Sequence, residues 1–376
     1  MTQALHGMRD VFTEVEELPR TNFSPPQESF VNARVLRLSG LAAAGVLAFS
    51  SIAIAQDLTG AGATFPQPLY NKWIADYAAK TGVKINYQGI GSGGGVKNFR
   101  EGTVDFGASD APMTDAEIAS LKAPAYHIPT VLGAVVITYN LSEVSKPLNL
   151  TGPIVADIYL GKITKWNDSQ IAAINKGVPL PNKDILVVHR TDGSGTTYIF
   201  TDYLSSVSPS WKSGPGKGKD VQWPVGLGGA QNAGVTGQVK STPGAIGYVE
   251  LAYARQNKLP YAALKNAAGV FVMPSIESVT QAAAGKAAAL PANTDFRVSM
   301  VNAGGKSSYP IASFTYLLVY QTQPDPVKGK KLIDFIKWAI HDGQASAPTL
   351  DYSPLPKNVV AMLDKRLGSV KNVASK

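Results

Sequence analysis

Short apolar runs along this chain alternate with stretches in which an apolar residue recurs at every third or fourth position. The apolar runs are typical of buried strands, and the periodic stretches are typical of amphipathic helices. Leu69, Trp73 and Tyr77 recur at four-residue intervals and predict one such helix. Because strands and helices alternate, the pattern indicates an α/β architecture with strands flanked by helices.

A strand followed by a glycine-rich turn and the start of a helix occurs at three places. The first turn is "GAGATF", residues 60–65, before the helix that contains Leu69. At the second, a strand over residues 84–88 leads to a helix that opens within residues 92–95. At the third, the strand "ILVVHR", residues 185–190, precedes the turn "TDGSGTT" and the helix "YIFTDYLSSV". Each turn is therefore predicted to lie at the N-terminus of a helix.

The remaining predicted elements are less informative about function. They are a strand over residues 104–108 that ends at Ser109 and Asp110, a turn into a strand at 243–250, a surface helix and loop at 282–295, a buried strand at 310–320, and an amphipathic helix at 328–343.

The first residues have the pattern of an export signal. Arg34 and Arg37 precede an uncharged apolar run, residues 38–55, which ends in an A-x-A cleavage motif. We therefore predict cleavage after Ala55 and a periplasmic protein, with a buried helix or a membrane anchor as the alternatives. Residues 1–30 are acidic, which is foreign to a signal, and a start site assigned too early would explain them.

Composition narrows the possible partners and cofactors. The chain has no cysteine, so disulfides and thiolate metal sites are excluded. Without residues 1–55 it keeps 31 of its 35 basic and 22 of its 27 acidic residues, which favours anionic partners. No dense run of Lys and Arg indicates a nucleic-acid surface. No His, Asp and Glu cluster has a convincing metal-ligand spacing, so we expect no metal and no cofactor.

The three turns have the chemistry of a small-anion site. A helix N-terminus exposes unpaired N–H groups and the positive end of the helix dipole, and glycine lets an anion approach that backbone. Hydroxyl groups add further hydrogen-bond donors, and the planar guanidinium group of arginine adds positively charged donors. Each turn alone is more often an ordinary helix cap. The candidate ligands of a shared site are Thr64, Phe65, Ser92, Arg190, Ser194, Gly195 and Thr196.

Two acidic residues accompany these donors. Asp110 would repel a fully deprotonated anion, but it would accept the proton that phosphate retains near neutral pH and sulfate lacks. Asp192 follows Arg190 by two residues and could orient its guanidinium group. A cap or a surface acid is the alternative for each.

Other glycine and serine chemistries fit less well. Residues 89–94 satisfy G-x-G-x-x-G after a strand, but the motif alone is weak evidence for a dinucleotide site. A hydrolase could use Ser194 with His189 as its base, although "DGSGT" is not the nucleophile-elbow pattern. Adjacent strand residues face opposite sides, so His189 points away if Arg190 faces a ligand.

At these residues the chain resembles the PstS family, the periplasmic phosphate-binding proteins of ABC-type phosphate uptake systems. The resemblance rests on "LTGAGATFPQPLYNKW", "YQGIGSGGG", "VDFGASDAPMTD", "DIYLGKITKWND", "RTDGSGTT", "WPVGLGG", "PGAIGYVE" and "DYSPLP". These motifs spread over residues 58–356. Residues 230–234 depart from the family pattern, and no ligand is expected among them.

The resemblance implies a fold and a set of roles. The fold would be a type II periplasmic binding protein, with two lobes of mixed sheet and helices, residues 57–133 plus 308–376 and residues 134–307. Two crossing strands, residues 131–136 and 310–315, would form the hinge. The ligands would be Thr64, Phe65, Ser92, Asp110 as proton acceptor, Arg190 steadied by Asp192, Ser194, Gly195 and Thr196.

The function implied by the resemblance is phosphate binding between the lobes and delivery to an ABC-type membrane permease. The protein would be a monomer without catalytic activity. The residues leave open a receptor for another oxyanion such as arsenate, an exported phosphatase, and a scaffold or adhesin that keeps the fold without transport.

Overall fold

The computed structural model describes residues 57–372. The predicted leader, the apolar run and the cleavage after Ala55 lie outside the described residues. Among the helices of residues 57–372, none is long and apolar enough to cross a membrane.

Strands and short helices alternate along most of the chain. The strands are β1 Leu58–Gly62, β2 Ile85–Gly89, β3 Phe106–Ser109, β4 Ala125–Tyr139, β5 Asn149–Leu150, β6 Leu186–Arg190, β7 Leu227–Gly229, β8 Ala245–Glu250, β9 Ala263–Lys265, β10 Phe271–Val272, β11 Ala312–Tyr320, β12 Thr322–Gln323 and β13 Lys371–Asn372. The helices are α1 Gln67–Thr81, α2 Ser92–Glu101, α3 Asp115–Ala119, α4 Gly152–Tyr159, α5 Ser169–Ile174, α6 Gly195–Val207, α7 Pro209–Ser213, α8 Gln231–Ser241, α9 Leu251–Gln256, α10 Ile276–Ala288, α11 Pro326–Ile340 and α12 Lys357–Gly368, with a 3-10 helix at Asp342–Leu350.

A mixed sheet of eight strands organises the fold, in the order β2-β1-β3-β11-β4-β8-β6-β7. The long strand β4 joins its two halves, because it pairs with β11 up to Ala134 and with β8 from Val135 onward. In the first half β1 lies parallel to β2 and β3, and in the second half β6 lies parallel to β7 and β8. The predicted α/β class is therefore confirmed.

The strongest helix predictions are also confirmed. Helix α1 buries Leu69, Trp73 and Tyr77 on one face, and Gly82 ends it in the left-handed conformation with a φ of 78°. Glycine adopts that conformation without a steric penalty. Helix α11 likewise buries the apolar face that its sequence pattern predicts.

Two elements differ from the prediction. Helix α6 begins at Gly195 rather than at Tyr198, so the glycine-rich turn forms its first residues. Helix α10 was expected at the surface, but Ala282, Ala283 and Ala287 are buried on one face. Alanine-rich patterns are weakly amphipathic, so packing against β4 and β11 decides their burial.

Candidate functional site

The three glycine-rich turns follow β1, β2 and β6, and each leads into a helix. The carboxyl ends of parallel strands are the usual position of ligand sites in α/β folds. The second and third turns touch directly, since the Gly93 backbone N–H donates to the Gly193 carbonyl over 2.7 Å. Residues about one hundred positions apart in sequence therefore meet at one place.

Glycine is required where these turns meet. A Cβ on Gly195 would lie 2.4 Å from both the Asp110 Oδ2 and the Ser92 Oγ atoms. A Cβ on Gly91, which has a φ of 88°, would lie 2.2 Å from Asp192 Oδ2. A side chain at either position would displace these polar groups, so the two glycines permit the close approach of the turns.

Asp110 is a buried carboxyl group between the turns, 1% exposed. Its Oδ1 accepts a hydrogen bond of 2.8 Å from Thr315 Oγ1, and its Oδ2 lies 3.4 Å from Ser92 Oγ. Burial raises the pKa of Asp110 to about 7, against the opposing effects of the Thr315 hydrogen bond, the Arg190 charge and the Ser92 hydroxyl. This carboxyl group is thus poised to exchange a proton near neutral pH.

Arg190, at the end of β6, supplies a buried positive charge beside Asp110. The Nε of Arg190 donates a hydrogen bond of 2.8 Å to Asp192, and the Nη2 of Arg190 donates a second one to the same carboxylate. Burial raises the pKa of Asp192, but the hydrogen bonds and charge of Arg190 outweigh burial and hold that pKa below its usual value. Asp192 thus contacts the guanidinium group that it is predicted to orient.

One nitrogen of the Arg190 guanidinium group is left without a protein partner. Among the described residues, no atom accepts a hydrogen bond from the buried Nη1. A buried charged donor without an acceptor is costly, and native proteins rarely retain one without a functional reason. The arrangement leaves one donor of the fork open for an anion.

Thr64 and Thr196 come from opposite halves of the sheet and meet at Asn232. Both threonines are buried, and Asn232 Nδ2 lies 2.9 Å from Thr64 Oγ1 and 3.1 Å from Thr196 Oγ1. Asn232 belongs to residues 230–234, where the sequence indicated no ligand. It is instead the residue that connects two of the predicted ligands.

Ser194 and Phe65 have structural as well as candidate binding roles. Ser194 caps α6, because its Oγ accepts a hydrogen bond of 3.0 Å from the Thr197 N–H. The carbonyl group of Phe65 accepts a bond of 2.6 Å from the Tyr352 hydroxyl. A capping serine keeps its own hydroxyl hydrogen, so it can still donate to a ligand.

The hydrolase arrangement is not assembled in this structure. His189 Nδ1 lies 3.0 Å from the Arg190 carbonyl oxygen, and its ring stacks on Trp223 at 4.8 Å between centroids. Among the described residues, no hydrogen bond joins Ser194 Oγ to His189; Ser194 Oγ accepts its bond from the Thr197 N–H. His189 is therefore a packed residue, as the strand alternation predicts. Residues 57–372 hold no group of three or more His, Cys, Asp or Glu that could bind a metal ion.

All eight predicted ligand residues thus lie in or beside one buried cluster, whereas its supporting residues other than Asp192 were missed. They are Asn232, Thr315, Tyr253, whose hydroxyl donates to the Thr64 carbonyl, and Tyr352. The sequence offers one indication of a role for Thr315, which is a polar residue within a strand that is otherwise mostly apolar. Tyr352 lies in the motif "DYSPLP", to which no role in the site was assigned, and Asn232 and Tyr253 have no distinctive local pattern.

Comparison with known proteins agrees with this architecture. A family model described as a PBP superfamily domain matches residues 49–342. A phosphate-binding protein PstS from Xylella fastidiosa is 47% identical over 308 residues, which cover 82% of this chain and 84% of the relative. The PstS of Haemophilus influenzae is 44% identical over 321 residues, which cover 85% of this chain and 94% of the relative.

Solved structures share the fold at lower identity. A phosphate-binding protein from Stenotrophomonas maltophilia superposes with a TM-score of 0.65 at 20% identity, over 82% of this chain and 93% of that one. A high-affinity periplasmic phosphate-binding protein, PfluDING, solved with bound phosphate, gives 0.65 at 22% identity, with the same coverage. The two-lobed fold of periplasmic binding proteins is thereby established. With the sequence identities, these comparisons mean that the chain belongs to the PstS family of phosphate-binding proteins within the PBP superfamily.

Proposed function

We propose that this protein is a periplasmic receptor that binds inorganic phosphate between its two lobes and delivers it to an ABC-type membrane permease. The observation that carries the proposal is the open Nη1 of buried Arg190 beside the buried carboxyl group of Asp110. One unpaired cationic donor and one proton acceptor match an oxyanion that still holds a proton. The relatives named phosphate-binding protein PstS support the same ligand.

The proposed contacts follow from the chemistry of each turn. Arg190 pairs with the anion, and Asp110 accepts the phosphate proton. The remaining contacts are hydrogen-bond donors, from backbone N–H or hydroxyl groups, of Thr64, Phe65, Ser92, Ser194, Gly195 and Thr196. Because the cluster is buried, each of these bonds acts in a low dielectric and contributes more than it would in water.

We propose the lobes as residues 57–133 plus 308–376 and residues 134–307, with the hinge in the strands that cross between them. Strand β4 changes its pairing partner at Ala134 and Val135, which supports this boundary. Lys219 and Glu117, from different lobes, form a half-buried ion pair. With the contact between Gly93 and Gly193, it would hold the lobes closed over the anion.

Calorimetric titration of the mature chain, freed of carried-over phosphate, tests the proposal. We expect one phosphate per chain to bind tightly at pH 8, and no heat from sulfate. Binding of both anions would support a general oxyanion receptor and contradict the role of Asp110. Arsenate, which has the size and protonation of phosphate, is expected to compete. Absence of any binding would overturn the receptor function and favour a scaffold.

Ser194→Ala tests whether the serine binds or catalyses. Loss of a hydrogen bond to a charged ligand costs about 1.5–3 kcal/mol, so we expect phosphate affinity to fall at least about tenfold. Loss of the cap lowers the free energy of unfolding by about 1 kcal/mol. The matched control is Ser208→Ala, which removes the cap of α7 and should affect stability alone.

The same pair of variants separates a receptor from an enzyme. We propose that the protein is a binding protein, so a chromogenic phosphate ester should not be hydrolysed by the wild type or by either variant. Hydrolysis that Ser194→Ala abolishes and Ser208→Ala retains would contradict the receptor and support a phosphatase.

A further inference from the structure

Asn232 occupies a position that no ligand motif assigns. It is the second residue of α8 and is fully buried, with 0% exposure. Its side chain spans the two lobes proposed above, since Nδ2 contacts Thr64 Oγ1 in one and Thr196 Oγ1 in the other. A buried amide with partners in both lobes does more than fill space.

The orientation of this amide is determined by a third partner. The backbone N–H of Glu250 donates to Asn232 Oδ1 over 3.0 Å. A flipped amide would direct its NH2 group at that N–H, and a donor facing a donor is unfavourable. The NH2 group is therefore held toward the threonines, where each of its two hydrogens has an acceptor.

This orientation constrains the threonine hydroxyl groups. A hydroxyl oxygen has two lone pairs and one hydrogen. Thr64 Oγ1 accepts from Asn232 Nδ2 and from the Asn232 backbone N–H, over 2.9 and 3.4 Å, which occupies both lone pairs. Thr196 Oγ1 accepts one bond from the same amide. The hydrogen of each hydroxyl is then free to donate to a third group.

We propose that Asn232 is a positioning residue that sets the hydrogen-bond polarity of the anion site, by making the Thr64 and Thr196 hydroxyls donors toward the ligand. The inference rests on the proposed function. It predicts that the Thr64 and Thr196 hydroxyls bind only ligand oxygens that carry no proton. A protonated oxygen is left to Asp110, so the two residues together orient a monoprotonated oxyanion.

A double-mutant cycle tests the inference, with phosphate affinity measured by calorimetry. Asn232→Ala should weaken binding about tenfold, which lies within the range of coupling between contacting polar groups. In a Thr64→Val/Thr196→Val background, which keeps Arg190 and Ser92, the same change should weaken binding less than twofold. An effect that works only through two hydroxyls disappears when the hydroxyls are absent.

Asn175→Ala is the matched control. Asn175 is a buried asparagine whose Nδ2 donates to the carbonyls of Asn149 and Ile171, and whose Oδ1 accepts from the Asn149 N–H. Its loss should lower the unfolding midpoint without changing phosphate affinity. If Asn232→Ala does not fold, Asn232→Ser replaces it in the cycle. The serine hydroxyl has one hydrogen to donate, whereas the asparagine NH2 group has two.

The outcomes separate this inference from the function on which it rests. No phosphate binding by the wild type would overturn both. Wild-type binding, together with an Asn232→Ala loss that persists undiminished in the valine background, would overturn the polarity role alone and assign Asn232 to packing. If Asn232→Ala weakens phosphate binding only when Thr64 and Thr196 are both present, the inference is supported.

Discussion

Arg190→Met is expected to weaken phosphate binding at least about 30-fold, because truncating one member of a buried charged contact costs about 2–5 kcal/mol or more. Arg190 is 3% exposed, and its Nη1 is the buried donor without a protein partner among the described residues. Methionine fills similar space but offers no donor. Calorimetry at pH 8 measures the loss directly.

Two further variants distinguish charge from geometry at this position. Arg190→Lys keeps the positive charge but not the planar fork, so intermediate affinity is expected. Arg190→Met also leaves the Asp192 carboxylate without its cation, which should lower the stability of the protein. The double variant Arg190→Met/Asp192→Asn should restore stability but not phosphate binding.

The control for net charge is Lys72→Met on the exposed face of α1, where Lys72 forms an ion pair with Asp76. It removes the same charge and should leave phosphate affinity unchanged. If Arg190→Met binds phosphate within tenfold of the wild type, the anion does not rely on this guanidinium group and the proposed site is wrong.

Asp110→Asn is expected to bind sulfate at submillimolar concentration, whereas the wild type is expected not to bind it. The wild-type carboxylate presents an acceptor, and sulfate near neutral pH has no proton to offer it. The asparagine amide can donate to a sulfate oxygen instead. Titration with sulfate at pH 8 measures the change, and a variant that still ignores millimolar sulfate would contradict the proton-accepting role. Asp115→Asn, at an exposed carboxylate, is the control.

The pH dependence gives a second readout of Asp110. Since the pKa of Asp110 is raised to about 7, the wild-type carboxyl holds its own proton below that pH and can donate it. Rejection of sulfate by the wild type should therefore weaken as the pH falls from 8 to 6. Asp110→Asn should bind sulfate equally across that range.

The same titration affects the stability of the ligand-free protein. The folded-state pKa of about 7 lies above the ordinary value of 3.8, so the folded protein binds a proton more tightly than the unfolded chain does. That stabilisation is complete below the unfolded pKa and is lost as the pH rises through about 7. Asp110→Asn should lack this component, and denaturant unfolding at pH 5 and pH 8 measures it.

Much of the candidate site could be predicted from local sequence, because its predicted ligands come from three turns with the same construction. Glycine, hydroxyl residues and a following apolar period identify a helix N-terminus without knowledge of the rest of the chain. For this reason Ser92 and Ser194 could be named in advance. The start of α6 was predicted three residues too late, because Gly195 and Thr196 are poor helix formers that tertiary packing holds in helical conformation.

The groups that surround those ligands could not be read in the same way. Thr315 reaches Asp110 across 205 positions, and Asn232 reaches Thr64 across 168. Such contacts depend on strand order and on which face of a strand or helix turns inward. An isolated asparagine or threonine has no pattern that encodes either.

By itself, the sequence determined the α/β class and the glycine-rich turns at helix N-termini, because each depends on residue periodicity and backbone preference over a few positions. Only the tertiary structure decided the raised pKa of Asp110, the open nitrogen of Arg190 and the bridging amide of Asn232. The physical reason is that desolvation and hydrogen-bond partnership are properties of an assembled environment. That environment comes from segments distant in the chain.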